Sequence, residues 1–136
     1  MKRIVLDTNV LVAGAYNPGS ASRKIVEACR RGRFRLVASR ALMAEYERML
    51  PRAIRDRAAL EAAFAVLREA ELVEPAVTPV AIPSDPEDDK LFAAAWAGGA
   101  EALVTNDDAV LRIDGAEGIR VVRPREFLRL AGEAED

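Results

Sequence analysis

Apolar positions fall along the chain in short β-branched runs that alternate with longer stretches at helical spacing. Residues 2–6 (Lys-Arg-Ile-Val-Leu) form such a run, ending on Asp7, and predict a buried strand. Asn17-Pro18-Gly19-Ser20 predicts a turn, Ser20 a cap for a helix over about 21–31, and Gly32 the position just past its end. Residues 35–39 read as a second strand. Ser39 then caps a helix over about 40–50 that stops near Pro51. A third helix over about 53–70 carries Ile54, Leu60, Phe64 and Leu67 at helical spacing.

Pro75, Pro79 and Pro83 mark an irregular stretch with room for a short strand around 80–82. Asp85-Pro86 has the form of an N-cap followed by proline at the first helical position, opening a helix to about Ala97 that Gly98-Gly99 closes. Strands at 102–105 and 119–122 follow, with a brief helical turn through Leu111 between them and a helix from Pro124 after them. Strands alternating with helices predict an α/β fold, a parallel sheet covered by helices on both faces. No repeat or long linker divides the 136 residues, so a single domain over 1–136 is expected.

Composition narrows the chemistry. The chain contains no histidine, which removes Ser-His-Asp and Cys-His hydrolysis, and with one cysteine it lacks the ligands of a zinc site. That cysteine, Cys29, lies in an apolar helical pattern and reads as a buried small hydrophobe. Asp7 and Asn9 interrupt the apolar N-terminal run that would otherwise resemble a signal peptide. No run approaches the roughly 18 apolar residues of a membrane span, so the expectation is a cytoplasmic protein with no membrane partner. Net charge is −2, which is no global nucleic-acid signature. Basic residues do cluster, at Arg23, Lys24, Arg30, Arg31, Arg33 and Arg35 and at Arg48, Arg52, Arg55 and Arg57. Such clusters are either solvated helix faces or a rim that contacts phosphates, with Arg23 and Arg48 the candidates for the latter.

With histidine absent, carboxylates carry the interest. In open α/β sheets sites lie beyond the carboxyl ends of the strands. Asp7 follows the first strand and Asp107 follows the strand at 102–105, so both are expected at one edge. Thr8 and Asn9 could satisfy Asp7 locally as a turn, and Asn106-Asp107-Asp108 is also good capping chemistry. Glu45 lies three residues after Leu42 and four before Met49, at the border of a buried stripe made by Leu42, Met43, Tyr46, Met49 and Leu50. In Asp85-Pro-Glu-Asp-Asp89 the early acids suit the helix dipole. Asp89 is the better ligand candidate, although spacing alone does not separate it from Asp88. Carboxylates gathered at one sheet edge repel one another and need a cation. Oxygen ligands without nitrogen or sulfur select Mg2+ or Mn2+, the ions of phosphodiester hydrolysis.

These residues fall into an ordered set of motifs. Val5-Leu6-Asp7-Thr8-Asn9-Val10-Leu11, Ser39-Arg-Ala-Leu-Met-Ala-Glu45-Tyr46, Asp89-Lys-Leu-Phe-Ala-Ala-Ala-Trp-Ala and Leu103-Val104-Thr105-Asn106-Asp107 resemble, in order, the four motifs of PIN domains. The closing Ile119-Arg-Val-Val-Arg-Pro-Arg-Glu-Phe-Leu resembles the family's tail. The interval from Asp89 to Asp107 matches the family spacing and favours Asp89 over its neighbour Asp88. The resemblance implies a three-layer α/β/α fold on a mostly parallel sheet of about five strands. It implies Mg2+ or Mn2+ at Asp7, Glu45, Asp89 and Asp107, with Thr8, Asn9 and Thr105 in support, and endoribonuclease activity on RNA. Within the family the chain most resembles the branch of toxins in type II toxin–antitoxin pairs, a resemblance that implies a small antitoxin partner and a homodimer. A PIN fold that binds RNA or protein without cutting is the alternative. Aspartyl-phosphate chemistry at Asp7 would want a second Asp two residues on, where this chain has Asn9.

Overall fold

A computed structural model of the chain describes residues 2–74 and 89–132. Five strands make the sheet: β1 (Lys2–Leu6), β2 (Phe34–Ser39), β3 (Glu71–Val73), β4 (Ala102–Val104) and β5 (Arg120–Val122). Among the described residues seven α-helices connect and cover them: α1 (Thr8–Tyr16), α2 (Ala21–Arg30), α3 (Arg40–Ala53), α4 (Arg57–Arg68), α5 (Asp89–Gly98), α6 (Asp108–Leu111) and α7 (Pro124–Leu130). All strands are parallel, in the order β3-β2-β1-β4-β5. The architecture is the expected three-layer α/β/α arrangement.

The central strand, β1, is apolar over its carboxyl half. Ile4, Val5 and Leu6 of β1 are fully buried, as a strand with a neighbour on each side and helices on both faces must be. Helix α5 crosses β1 and β2, with Phe92, Ala94 and Ala95 buried against them. On the other side α2 packs against β2 and α7 against β4, and Phe34 meets Phe127 edge-on at 4.9 Å between ring centroids. Caps act where the sequence placed them. Ser20 accepts from the Arg23 amide and Ser39 from the Leu42 amide, each at 3.1 Å, and Gly32 takes φ +78° beyond α2.

Several boundaries differ from expectation. Helix α3 runs through Pro51 to Ala53, because Pro51 is exposed and the next turn closes with Ile54 N–H donating to Leu50 O at 2.8 Å. Ile54 therefore belongs to the end of α3, and the following helix starts at Arg57, where Asp56 caps it. Met49 is 42% exposed and outside the buried stripe of α3. Helix α1 begins directly after Asp7, in a segment whose apolar pattern predicts no helix. The fifth strand is Glu71–Val73. The anticipated strand around 80–82, the Asp85-Pro86 cap and Asp88 lie outside the described residues.

Candidate functional site

The strand order reverses at β1. From there the chain builds outward to β2 and β3 on one side and to β4 and β5 on the other. The carboxyl ends of β1 and β4 flank this switch point, where open parallel sheets bind ligands. Register pairs Leu6 with Val104, and the Asp7 amide donates to Val104 O at 2.9 Å, so Asp7 and Thr105 are neighbours just past the strand ends. The two motifs met a hundred residues apart are joined by one ladder.

Asp7 occupies the N-cap position of α1, but its side chain makes no capping bond. Its Oδ2 instead accepts from the Thr105 hydroxyl at 2.7 Å and from the Asn9 amide at 3.3 Å. Asp7 is buried, 7% exposed. Burial raises its pKa above the ordinary carboxylate value; the Thr105 bond opposes this, the charge of Glu45 adds to it, the Thr8 backbone opposes it and the charge of Asp107 adds to it. The net direction is upward. Asp7 thus sits where negative charge is costly and where two further acids add to the cost.

Thr105, fully buried, also accepts from the Asp107 amide at 3.0 Å, so one hydroxyl ties both aspartates. The Asp107 carboxylate caps α6, its Oδ1 accepting from Ala109 N at 2.9 Å. The capping role foreseen for Asp107 is therefore real, and it coexists with the acid's electrostatic reach to Asp7. Around it the 105–109 turn is pinned from two sides. Asn106 donates its amide to Asn9 Oδ1 at 3.2 Å, while Arg123 donates to Asn106 O and pairs with Asp108.

Glu45 reaches the same edge from α3. Its Oε2 accepts from the Thr8 hydroxyl at 2.8 Å and its Oε1 pairs with Lys90 Nζ at 2.9 Å, both side chains being largely buried. Asp89 opens α5, one residue before Lys90, and so lies at the helix end that Lys90 joins to Glu45. Asp7, Glu45 and Asp107 are brought together electrically. Among the described residues, however, no three acidic side chains are close enough to hold a metal ion as they stand. Glu45 is held by Thr8 and Lys90, and Asp107 by its helix cap. The donor set is nonetheless all oxygen and all anionic, which suits a hard divalent cation.

Two residues matter beyond the candidate site residues. Tyr46, expected only as an apolar position, is fully buried and donates its hydroxyl to Leu6 O, fastening α3 to the end of β1. Burial, with the charges of Asp7 and Glu45 in support, pushes the pKa of that hydroxyl well above its ordinary value. Lys90 is the other; it stands in the third motif, but only its contact with Glu45 reveals its place. Arg23, foreseen at a phosphate rim, instead donates to the Gly14 and Ala15 carbonyls at the α1–α2 corner. Arg48 is exposed on α3, three residues beyond Glu45. Cys29 is buried and inert, burial pushing its thiol up to about 12.

A family model described as the PIN domain matches residues 3–109, a span that contains every acid discussed above. The chain belongs to the PIN domain family, whose members are in general nucleases that use divalent metals. No curated protein matches it. No helix among the described residues is long and apolar enough to cross a membrane.

Proposed function

We propose that this chain is a divalent-metal-dependent endoribonuclease in which Asp7, Glu45, Asp89 and Asp107 hold Mg2+ or Mn2+ and RNA is the substrate. The observation that carries the reading is Asp7: a buried carboxylate at the topological switch point, with two more acids raising its charge cost and two side chains orienting it. A protein retains such an arrangement where a cation is to be bound, since without one the charges only destabilise. The chemistry Mg2+ or Mn2+ supplies when held by such carboxylates is activation of water and neutralisation of phosphodiester charge.

The protein's own groups have separable roles. Thr105 and Asn9 fix the direction of Asp7 Oδ2. Thr8 orients Glu45, and Thr105 couples Asp7 to the Asp107 turn. Asp89 adds an acid from α5, with Asp88 preceding it. Exposed arginines such as Arg48 are suited to RNA phosphates. We extend the reading, on the motif resemblance, to the toxin half of a toxin–antitoxin pair: a homodimer whose acids a small antitoxin protein covers.

The test is cleavage of RNA with Mg2+ or Mn2+ and its loss in Asp7→Asn. Cleavage that survives both EDTA and that substitution rejects the assigned site. Co-purification with the product of the adjacent reading frame tests the antitoxin. A second reading, a PIN fold that binds RNA or protein without cutting, draws on one feature: Lys90 already neutralises Glu45. Calorimetry with Mn2+ separates the two, since absence of any binding favours the second.

A further inference from the structure

We propose that Lys90 is the site's own counter-ion: its ammonium pairs with Glu45 when no divalent ion is bound, yields that carboxylate when one binds, and so sets the affinity of the site for Mg2+ or Mn2+. This rests on the reading of Glu45 as a metal ligand.

The argument starts from the two oxygens of Glu45. Oε2 accepts from Thr8 at 2.8 Å and Oε1 faces Lys90 at 2.9 Å. A carboxylate has about four lone-pair sites, so a neutral hydroxyl can stay on one oxygen while an ion binds. An ammonium cannot stay in the same way. At that distance from the carboxylate it would share its partner with a doubly charged ion, and the two cations repel strongly in a partly buried setting.

The Lys90–Glu45 pair is also unlike the other ion pairs among the described residues. The side chains are 20% and 16% exposed, whereas those of Arg3–Glu71 and Arg30–Glu27 are 35–46% exposed and those of Lys2–Glu101, Arg40–Glu74, Arg120–Asp114, Arg123–Asp108 and Arg129–Glu126 are 41–82% exposed. A carboxylate left in that position without a cation would be costly, as breaking a buried pair is. Lysine suits the task because it is a point charge on a flexible four-carbon stem and does not clamp a carboxylate bidentately. Binding of the ion and pairing by Lys90 are then two alternatives for one carboxylate, and each must weaken the other by the same factor. The upward push that Glu45 exerts on Asp7 shows why a resident cation is useful here: the acids coexist only if something positive is close.

The experiment is calorimetric titration of MnCl2 into the wild-type protein, Lys90→Met and Lys90→Arg, at one ionic strength, with circular dichroism to verify folding. Methionine keeps the stem's packing and removes the charge. Arginine keeps the charge and grips the carboxylate more firmly. The proposal expects Lys90→Met to bind Mn2+ on the order of tenfold more tightly than wild type, and Lys90→Arg to bind it more weakly. Equal affinity in Lys90→Met and wild type overturns it, because Lys90 is then only structural. A gain in Lys90→Met with Lys90→Arg matching wild type also overturns it, because the effect is then one of net charge. Binding seen in Lys90→Met alone supports the proposal and the metal site together. No binding in any of the three defeats the metal site itself, and the proposal with it, a result unlike either of the overturning orders of affinity. Should Lys90→Met fail to fold, the order of Lys90→Arg and wild type still decides.

Discussion

Asp7 carries its charge where burial and two neighbouring carboxylates oppose it, and this has a thermodynamic consequence. Its folded-state pKa lies above the ordinary 3.8. The folded protein therefore holds that proton more tightly than the unfolded chain. Asp7 destabilises nothing below about the ordinary value, and stability falls as pH rises through the raised value and stays lower above it. Asp7→Asn, which keeps an oxygen for the Thr105 and Asn9 bonds, is thus expected to raise the melting temperature in EDTA at neutral pH by the equivalent of about 1 kcal/mol, a few degrees. The gain should shrink as pH is lowered toward 4. Differential scanning calorimetry at several pH values checks both, and a loss of stability at neutral pH would contradict the electrostatic account. Thr105→Val removes the bond that most lowers the Asp7 pKa and strands the Asp107 amide. It should cost about 1–3 kcal/mol and move the Asp7 carboxyl resonance to titrate at higher pH by NMR. At this scale the sequence was informative about acids and silent about Lys90. A lysine beside an aspartate near a helix start looks like a surface cation until its partner, 45 positions back in α3, is brought against it.

Elements were legible where periodicity and caps agreed and were lost where they did not. β1, α2, β2 and α7 follow their patterns closely. Helix α1 escaped because Val10-Leu-Val continues the β-branched character of β1, and β-branched residues carry little helical signal. In the structure a turn of the backbone at Asp7 separates strand from helix, and this abruptness leaves the carboxylate at the edge. β3 escaped because Glu71-Leu-Val is three residues long and an edge strand, with Leu72 56% exposed. Pro51 predicts a stop to α3, yet it lies on the exposed side where loss of its amide bond costs least. The seat of α5 on the sheet yields a sharper prediction. A Cβ built on Gly98 would fall 2.3 Å from Val37 Cγ1, and Val37 is fully buried in β2. Gly98→Ala should therefore cost about 1–3 kcal/mol by overpacking, read in urea denaturation. Val37→Ala in the same chain should recover part of the loss through direct coupling. Additive losses would mean that α5 does not approach β2 at this glycine.

For the molecule as a whole, alternation of strands and helices predicted a parallel sheet, and parallel strands place all carboxyl ends on one side. That is why Asp7 and the turn at Asp107 could be expected at one edge without coordinates. What alternation could not supply was the order β3-β2-β1-β4-β5, since the partners of β1 are chosen by packing on both faces. The order has a functional consequence. Asp7 leaves β1, Glu45 lies on α3, Asp89 on α5 and Asp107 follows β4, so a cation held by these acids would fasten four elements spread from residue 7 to residue 107. Its effect should then be global. At a free Mn2+ concentration 100 times the dissociation constant, one site adds about 2.7 kcal/mol to unfolding. Hydrogen exchange should show this at the Asp7 amide, bonded to Val104 O between the two central strands, as well as in the 105–109 turn. The slowing should vanish in Asp7→Asn. If Mn2+ protects only residues 105–111, the ion is held by the Asp107–Asp108 turn alone, and the four-element site is not the one that binds it.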